Sequence, residues 1–100
     1  MHVRGGFVYI LTNYNHTTLY TGVTSDLLSR IEEHRSHKFP KSFTAKYKVT
    51  KLVYFETFHS IEEAIIREKQ IKAGSRKKKQ DLICSTNWDW IDLYDQVKRW

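Results

Sequence analysis

The chain has a single cysteine, Cys84, so no internal disulfide can form and a reducing cytoplasm is the simplest compartment. With one proline, four glycines, no internal repeat and no low-complexity run, nothing reads as a linker, and the whole chain is expected to be one domain. Long apolar runs are missing as well. Residues 7–11 form the most apolar stretch, too short for a signal-peptide core and far too short to span a bilayer, which argues against a membrane partner. Acid is missing from residues 34–51. What remains is 100 residues, enough for one core, with a formal charge of +6 and a pI near 9.5. That balance favours a polyanionic partner.

The basic charge is concentrated. Residues 34–51 hold Arg35, Lys38, Lys41, Lys46 and Lys48, with the aromatics Phe39, Phe43 and Tyr47 between them. Ammonium groups in such a segment can neutralise phosphates while aromatic faces stack on bases or pack on the core. A second block, Arg76, Lys77, Lys78 and Lys79, follows Gly74. For any single lysine a solvated surface is the ordinary reading, and two blocks around one site strengthen the other. By contrast, the tail from Asn87 sets Asp89, Asp92 and Asp95 among Trp88, Trp90 and Trp100, which reads as packing and solubility.

Periodicity predicts an α+β fold: a three-stranded antiparallel sheet (7–12, 18–24 and 49–58, the first strand in the middle) with helices over 26–36, 61–73 and 76–83. Phe7, Tyr9 and Leu11 alternate with Val8 and Ile10, the period of a strand. Residues 13–17 form a polar turn and 19–24 the returning strand, with a turn expected at Tyr20-Thr21-Gly22 before the first helix. Thr24, Ser25 and Asp26 offer caps for that helix, and Arg30 and His34, four apart, project from one side of it. The third strand is apolar on both faces and should be covered on both. Ser60 and Glu63 make a capping box for a helix stopped by Gly74, and its apolar stripe is Ile61, Ala64, Ile65 and Ile71. Glu68 falls among these. A carboxylate there is costly unless it is paired or metal-bound, and Lys72 one turn on is the surface partner it would otherwise have.

The order of these pieces resembles the GIY-YIG nuclease superfamily over nearly the whole chain. Phe7-Val8-Tyr9 stands where the family has Gly-Ile-Tyr, and Tyr20-Thr21-Gly22 where it has Tyr-Ile-Gly. The chain is most similar to the small stand-alone branch, through Val8-Tyr9-Ile10-Leu11, Leu19-Tyr20-Thr21-Gly22 and Arg67-Glu68-Lys69-Gln70-Ile71-Lys72. Phe7 replaces the first glycine, Thr21 replaces the isoleucine, and Val23 stands where some members carry a lysine. The resemblance implies a catalytic arginine at Arg30, a histidine one turn later at His34, and a metal-binding glutamate at Glu68. Asn87 matches an asparagine that some members place near the metal, and could equally cap the segment starting at Trp88.

Chemistry explains why these residues would be needed together. One Mg²⁺ or Mn²⁺ held by Glu68 and waters would act as Lewis acid and template, a single carboxylate suiting a hard ion that keeps its hydration shell. Arg30 would clamp the phosphate. Tyr9 or Tyr20 would orient or deprotonate the water; a phenol at its ordinary pKa near ~10 is a poor base, which a nearby arginine and metal would lower. His34, with an ordinary pKa near ~6.5, is the other candidate base. Alone, each has an ordinary explanation too: strand tyrosines are usually half-buried core, and helical Arg and His usually exposed. The remaining histidines have no ligand-spaced partners, so no zinc site is expected.

The resulting expectation is a metal-dependent endonuclease acting on DNA, more than RNA, or on structured nucleic acid. Phosphate contacts are expected from Arg35, Lys38, Lys41, Lys46, Lys48, Lys72, Arg76, Lys77, Lys78 and Lys79. The alternative is a nucleic-acid-binding module of the same fold that does not cut, and after it a protein-interaction domain using the tryptophan-rich tail. With no residues left for a separate DNA-choosing domain, substrate choice would fall to nucleic-acid shape, a protein partner or a dimer.

Overall fold

The computed structural model describes residues 5–100. Its centre is strand β1 (Gly6–Thr12), whose residues are all buried because both faces of the strand are covered. Strands β2 (Leu19–Thr24) and β3 (Lys51–Phe58) flank it antiparallel in the order β2-β1-β3. Alternation sends Phe7, Tyr9 and Leu11 into one core and Val8 and Ile10 into the other. A bulge between Ile10 and Leu11 shifts the β1–β3 register.

Helix α1 (Leu27–Arg35) covers the Tyr9 face through Leu27 and Ile31, and Asp26 caps it by accepting the Ser29 N–H. It ends in a Schellman arrangement: the Lys38 N–H reaches the Glu33 carbonyl and His37 takes a left-handed φ of 54°. A single turn, α2 (Phe43–Lys46), follows, capped by Ser42 onto the Ala45 N–H. Helices α3 (Ile61–Ala73) and α4 (Arg76–Thr86) cover the opposite face through Ala64, Ile71 and Ile83. At Gly6 a Cβ would collide with Ala64, so the glycine lets α3 lie directly on β1.

The tail returns to the first core. The Leu93 N–H donates to the Leu52 carbonyl and Asp92 accepts the Leu52 N–H, so the outer edge of β3 is covered. Helix α5 (Tyr94–Lys98) then buries Val97, and the Trp100 ring stacks on Phe7 at 5.8 Å and meets Phe55 at 5.3 Å.

The three-stranded sheet, the central first strand and the helices over 61–73 match the expectation. Elsewhere the structure corrects it. Tyr20, Thr21 and Gly22 lie inside β2 and form no turn, because their pairing with Leu11, Ile10 and Tyr9 continues the ladder. The third strand begins at Lys51, since Val49 still closes the loop by donating to the Thr44 carbonyl. Helix α4 runs on to Thr86, and the short helices α2 and α5 had not been expected. Ile65 is 37% exposed; the buried stripe of α3 is Ile61, Ala64, Glu68 and Ile71, so Glu68 lies on it.

Candidate active site

Tyr9 faces Gly22 across the β1–β2 ladder, and a Cβ at position 22 would collide with its Cζ and hydroxyl. The missing side chain lets the buried Tyr9 ring pass over the edge strand. There its hydroxyl lies 3.1 Å from His34 Nε2, while His34 Nδ1 lies 2.7 Å from Thr44 Oγ1. Ser42 Oγ, 3.3 Å from the same threonine oxygen, extends the chain. The Tyr20 ring closes the cluster, 6.3 Å from Tyr9 and 5.7 Å from His34. Helix α1 supplies Arg30 one turn before His34, loosely paired with Glu33 at 3.6 Å. Tyr20, Arg30, Glu33, His34, Phe43 and Thr44 line a cavity of about 180 Å³, and the buried Tyr9 reaches this wall through its contact with the His34 ring.

The electrostatics assign the protons. Burial, then the neighbouring Tyr20, pushes the Tyr9 phenol well above its ordinary pKa; Glu68 and Glu33 add to the rise and Arg30 opposes it. Burial and then Arg30 hold the His34 imidazole below its ordinary value, with Glu33 opposing. Tyr9 therefore keeps its proton and His34 is neutral at neutral pH. A neutral imidazole has one donor and one acceptor; in the tautomer that carries its proton on Nδ1, the Nδ1–H donates to Thr44 and Nε2 accepts the Tyr9 O–H. At Tyr9 without a metal, burial outweighs Arg30; the lowered phenol pKa expected from the sequence called on an arginine and a metal together.

On the other face of the sheet, the Glu68 side chain is only 12% exposed and sits 2.9 Å from Lys72 Nζ. Its charge is nonetheless felt at Tyr9. Both arrangements the sequence allowed thus occur together: a carboxylate on the buried stripe, and an ion pair with Lys72. Alternation along β2 puts Thr21 on this same face, and its buried hydroxyl has no hydrogen-bond partner. No group of three or more His, Cys, Asp or Glu side chains able to hold a metal occurs among the described residues. A single carboxylate suits a hard cation such as Mg²⁺ or Mn²⁺ that keeps most of its water ligands, and does not suit a metal held by several histidines or cysteines.

Several expected phosphate ligands are engaged within the protein. Arg35 donates to the Thr50 carbonyl and to Asp92 at 2.8 Å and stacks on Tyr94, fastening the tail to α1. Arg76 donates to the His16 and Thr17 carbonyls and fastens α4 to the β1–β2 loop. Both guanidinium groups are clamps, because a planar fork of donors matches two acceptors at once, the Thr50 and Asp92 oxygens for Arg35 and two adjacent carbonyls of one loop for Arg76. Lys72 faces Glu68, Lys77 pairs with Asp81, Lys38 with Glu33, and Lys79 donates to the Gly74 carbonyl. Lys41, Lys46, Lys48 and Lys78 make no ion pair among the described residues. Asn87 has both ends of its amide on backbone, donating to Val53 and Ile91 carbonyls and accepting the Ile91 N–H. It anchors the tail against β3 and closes the turn over 87–91, and no helix starts at Trp88 for it to cap.

Thr44 and the Thr21 hydroxyl were missed by sequence reasoning. Ser42 before Phe43-Thr44-Ala45 is a cap signal that would have found α2, and with it the position of Thr44.

The family model of the GIY-YIG catalytic domain matches residues 5–81. A UPF0213 protein of Syntrophus aciditrophicus is 40% identical over 77 residues, covering 77% of this chain and 87% of its own. One from Haloquadratum walsbyi is 38% identical over 76 residues, covering 76% of this chain and 83% of its own. The solution NMR structure of the UPF0213 protein BH0048 from Bacillus halodurans superimposes with a TM-score of 0.55 at 33% identity, covering 87% of this chain and 90% of that one. The matched segment contains Tyr9, Tyr20, Arg30, His34 and Glu68, and the chain belongs to the GIY-YIG family, alongside its small UPF0213 members.

Proposed function

We propose that this protein is a divalent-metal-dependent endonuclease that hydrolyses phosphodiester bonds in nucleic acid, DNA more than RNA. The observation that carries the reading is one cavity lined by Tyr20, Arg30, His34 and Thr44, with the Tyr9 hydroxyl 3.1 Å from the His34 ring behind it. The family adds to it: GIY-YIG domains are nuclease domains. A phosphate entering the cavity meets the Arg30 guanidinium, whose donors stabilise the charge growing on the phosphoryl oxygens. Tyr9 holds the attacking water. As the water oxygen bonds to phosphorus, its proton passes to the Tyr9 oxygen while the Tyr9 proton moves to His34 Nε2, so no phenolate accumulates. The phosphorus–oxygen bond to the leaving strand then breaks, and that oxygen is protonated from solvent. Glu68 would hold Mg²⁺ or Mn²⁺ largely through waters, and the ion when bound would supply Lewis-acid stabilisation of the phosphate and leaving oxygen.

The Glu68–Lys72 pair at 2.9 Å favours one second reading, in which Glu68 is structural and the domain binds nucleic acid without cutting it. Purified chain offered single-stranded, duplex, flapped and branched substrates, with Mg²⁺, Mn²⁺ or chelator, separates the two. Cleavage is expected only with metal. Arg30→Ala should lower its rate by roughly a hundredfold or more, as when a transition-state donor is lost. Full activity in Arg30→Ala or Glu68→Ala overturns the site. No helix among the described residues is long and apolar enough to cross a membrane, and the single free cysteine suits the cytoplasmic setting this function would have.

A further inference from the structure

A stair of aromatic rings leads out of the cavity. Tyr20, at its wall, stacks on Phe43 with 6.0 Å between centroids and 27° between planes, and Phe43 meets Tyr47 at 4.8 Å. Phe43 is 47% and Tyr47 46% exposed, and Phe39 nearby is more so. Apolar side chains of this size are normally buried for the free energy it releases. Here the local structure displays them. The one-turn helix α2 buries Thr44, which holds His34, and the turn is closed by Lys48 at a left-handed φ of 55°. The surroundings are cationic: Lys46 Nζ lies 5.4 Å from the Tyr47 centroid and Lys38 Nζ 5.7 Å from that of Phe39, and residues 34–51 contain no acid.

Exposed π faces beside the ammonium groups of Lys41 and Lys46, which make no ion pair among the described residues, match a strand whose bases and phosphates alternate, whereas Lys38 is held by Glu33. In an intact duplex the base faces are covered by their neighbours, so only unpaired nucleotides can use such a surface. We infer that the Phe43–Tyr47 surface binds unpaired nucleotides next to the phosphate at Arg30, so that the substrate class is single-stranded or frayed nucleic acid. Bases stack on Phe43 and Tyr47, and Lys41 and Lys46 neutralise the backbone leading into the cavity. This inference rests on the nuclease reading for the cavity and goes beyond it in naming which strands enter.

The test is binding of the full chain, in chelator so that nothing is cut, to a fluorescent single strand, its blunt duplex, and a single strand carrying a run of abasic nucleotides. The intact single strand should bind tightest. Phe43→Ala and Tyr47→Ala should each weaken it by about five- to a hundredfold while changing duplex binding little, as expected for loss of one base–aromatic stack. The abasic strand should bind more weakly and be indifferent to Tyr47→Ala. Tyr47→Trp should bind as tightly as wild type or tighter, which keeps the test decisive if an alanine variant melts early. Equal losses on single strand and duplex, undiminished binding of the abasic strand, or a preference for anionic lipid vesicles over oligonucleotides would overturn the inference. Cleavage assays with Mg²⁺ separate the two levels. Single-strand preference without any cutting overturns the nuclease reading alone; equal cutting of single strand and duplex, insensitive to Tyr47→Ala, overturns this one alone.

Discussion

Tyr9, His34 and Thr44 form a hydrogen-bonded chain in which burial holds the phenol protonated and the imidazole neutral, and the proposed mechanism uses it as a proton path. Because His34 must be neutral to accept the Tyr9 proton, kcat/KM of the wild type should hold down to about pH 6.5, the ordinary histidine value, and fall only below it. Stability should follow the same sign. Below pH 6.5 the unfolded chain binds a proton that folded His34 resists, so stability is flat above that pH and falls as acid is added, until the folded ring protonates too. His16, held low by burial and by Lys51, adds to the slope, so the comparison is between wild type and His34→Gln, which should lose less on acidification. Melts at pH 5.5 and 7.5 check it; equal losses would mean that His34 is not held neutral. Thr44→Val leaves the Nδ1–H without an acceptor and should lower the rate about tenfold or more, with Thr44→Ser restoring it. Glu68 gives a separate test. Mg²⁺ should raise the melting temperature of the wild type and not of Glu68→Gln, whereas Lys72→Met, which removes the competing cation, should respond at lower Mg²⁺. Identical responses from all three would remove Glu68 from the metal site.

Strand β2 has a double duty at element scale, since Tyr20 and Gly22 shape the cavity while Leu19 and Val23 pack against the opposite core. Gly22→Ala should destabilise by about 1–3 kcal/mol and pull the Tyr9 hydroxyl off His34, because the added methyl occupies the space of the phenol. Loss of cleavage with nucleic-acid affinity retained is the expected phenotype; unchanged stability and activity would show that the ring has room to move. The strands and the three longer helices were legible because each declares itself locally, in period-two alternation, a capping serine or aspartate, and a stripe at helical spacing. The single-turn α2 was not, because four residues carry no periodicity. The roles of Arg35 and Arg76 were not either. Their partners lie 57 residues away for Arg35–Asp92 and 59 and 60 residues away for Arg76, so an arginine that clamps and one that binds phosphate look alike until the chain is folded.

For the molecule as a whole, charge should govern binding through the few lysines left unpaired. Replacing Lys41 and Lys48 together by alanine should reduce the slope of log K against log salt by about two, whereas the pair Lys77 and Lys79, which have intramolecular partners, should change it less. Equal slopes for wild type and both pairs would mean that neither block touches phosphate. The candidate site was legible as a set of residues but not as a proton path, since that depends on which side of the sheet each group occupies. Strand β1 separates the two cores, with Tyr9 and His34 on one side and Glu68 on the other. Side chains along a strand change sides at every step, so inserting or deleting one residue within Gly6–Thr12 would turn the phenol toward α3 and leave an aliphatic group beneath His34. The length of this one strand therefore acts as a parity rule: a substitution alters one position, but a change in count exchanges the strand's two faces at a stroke.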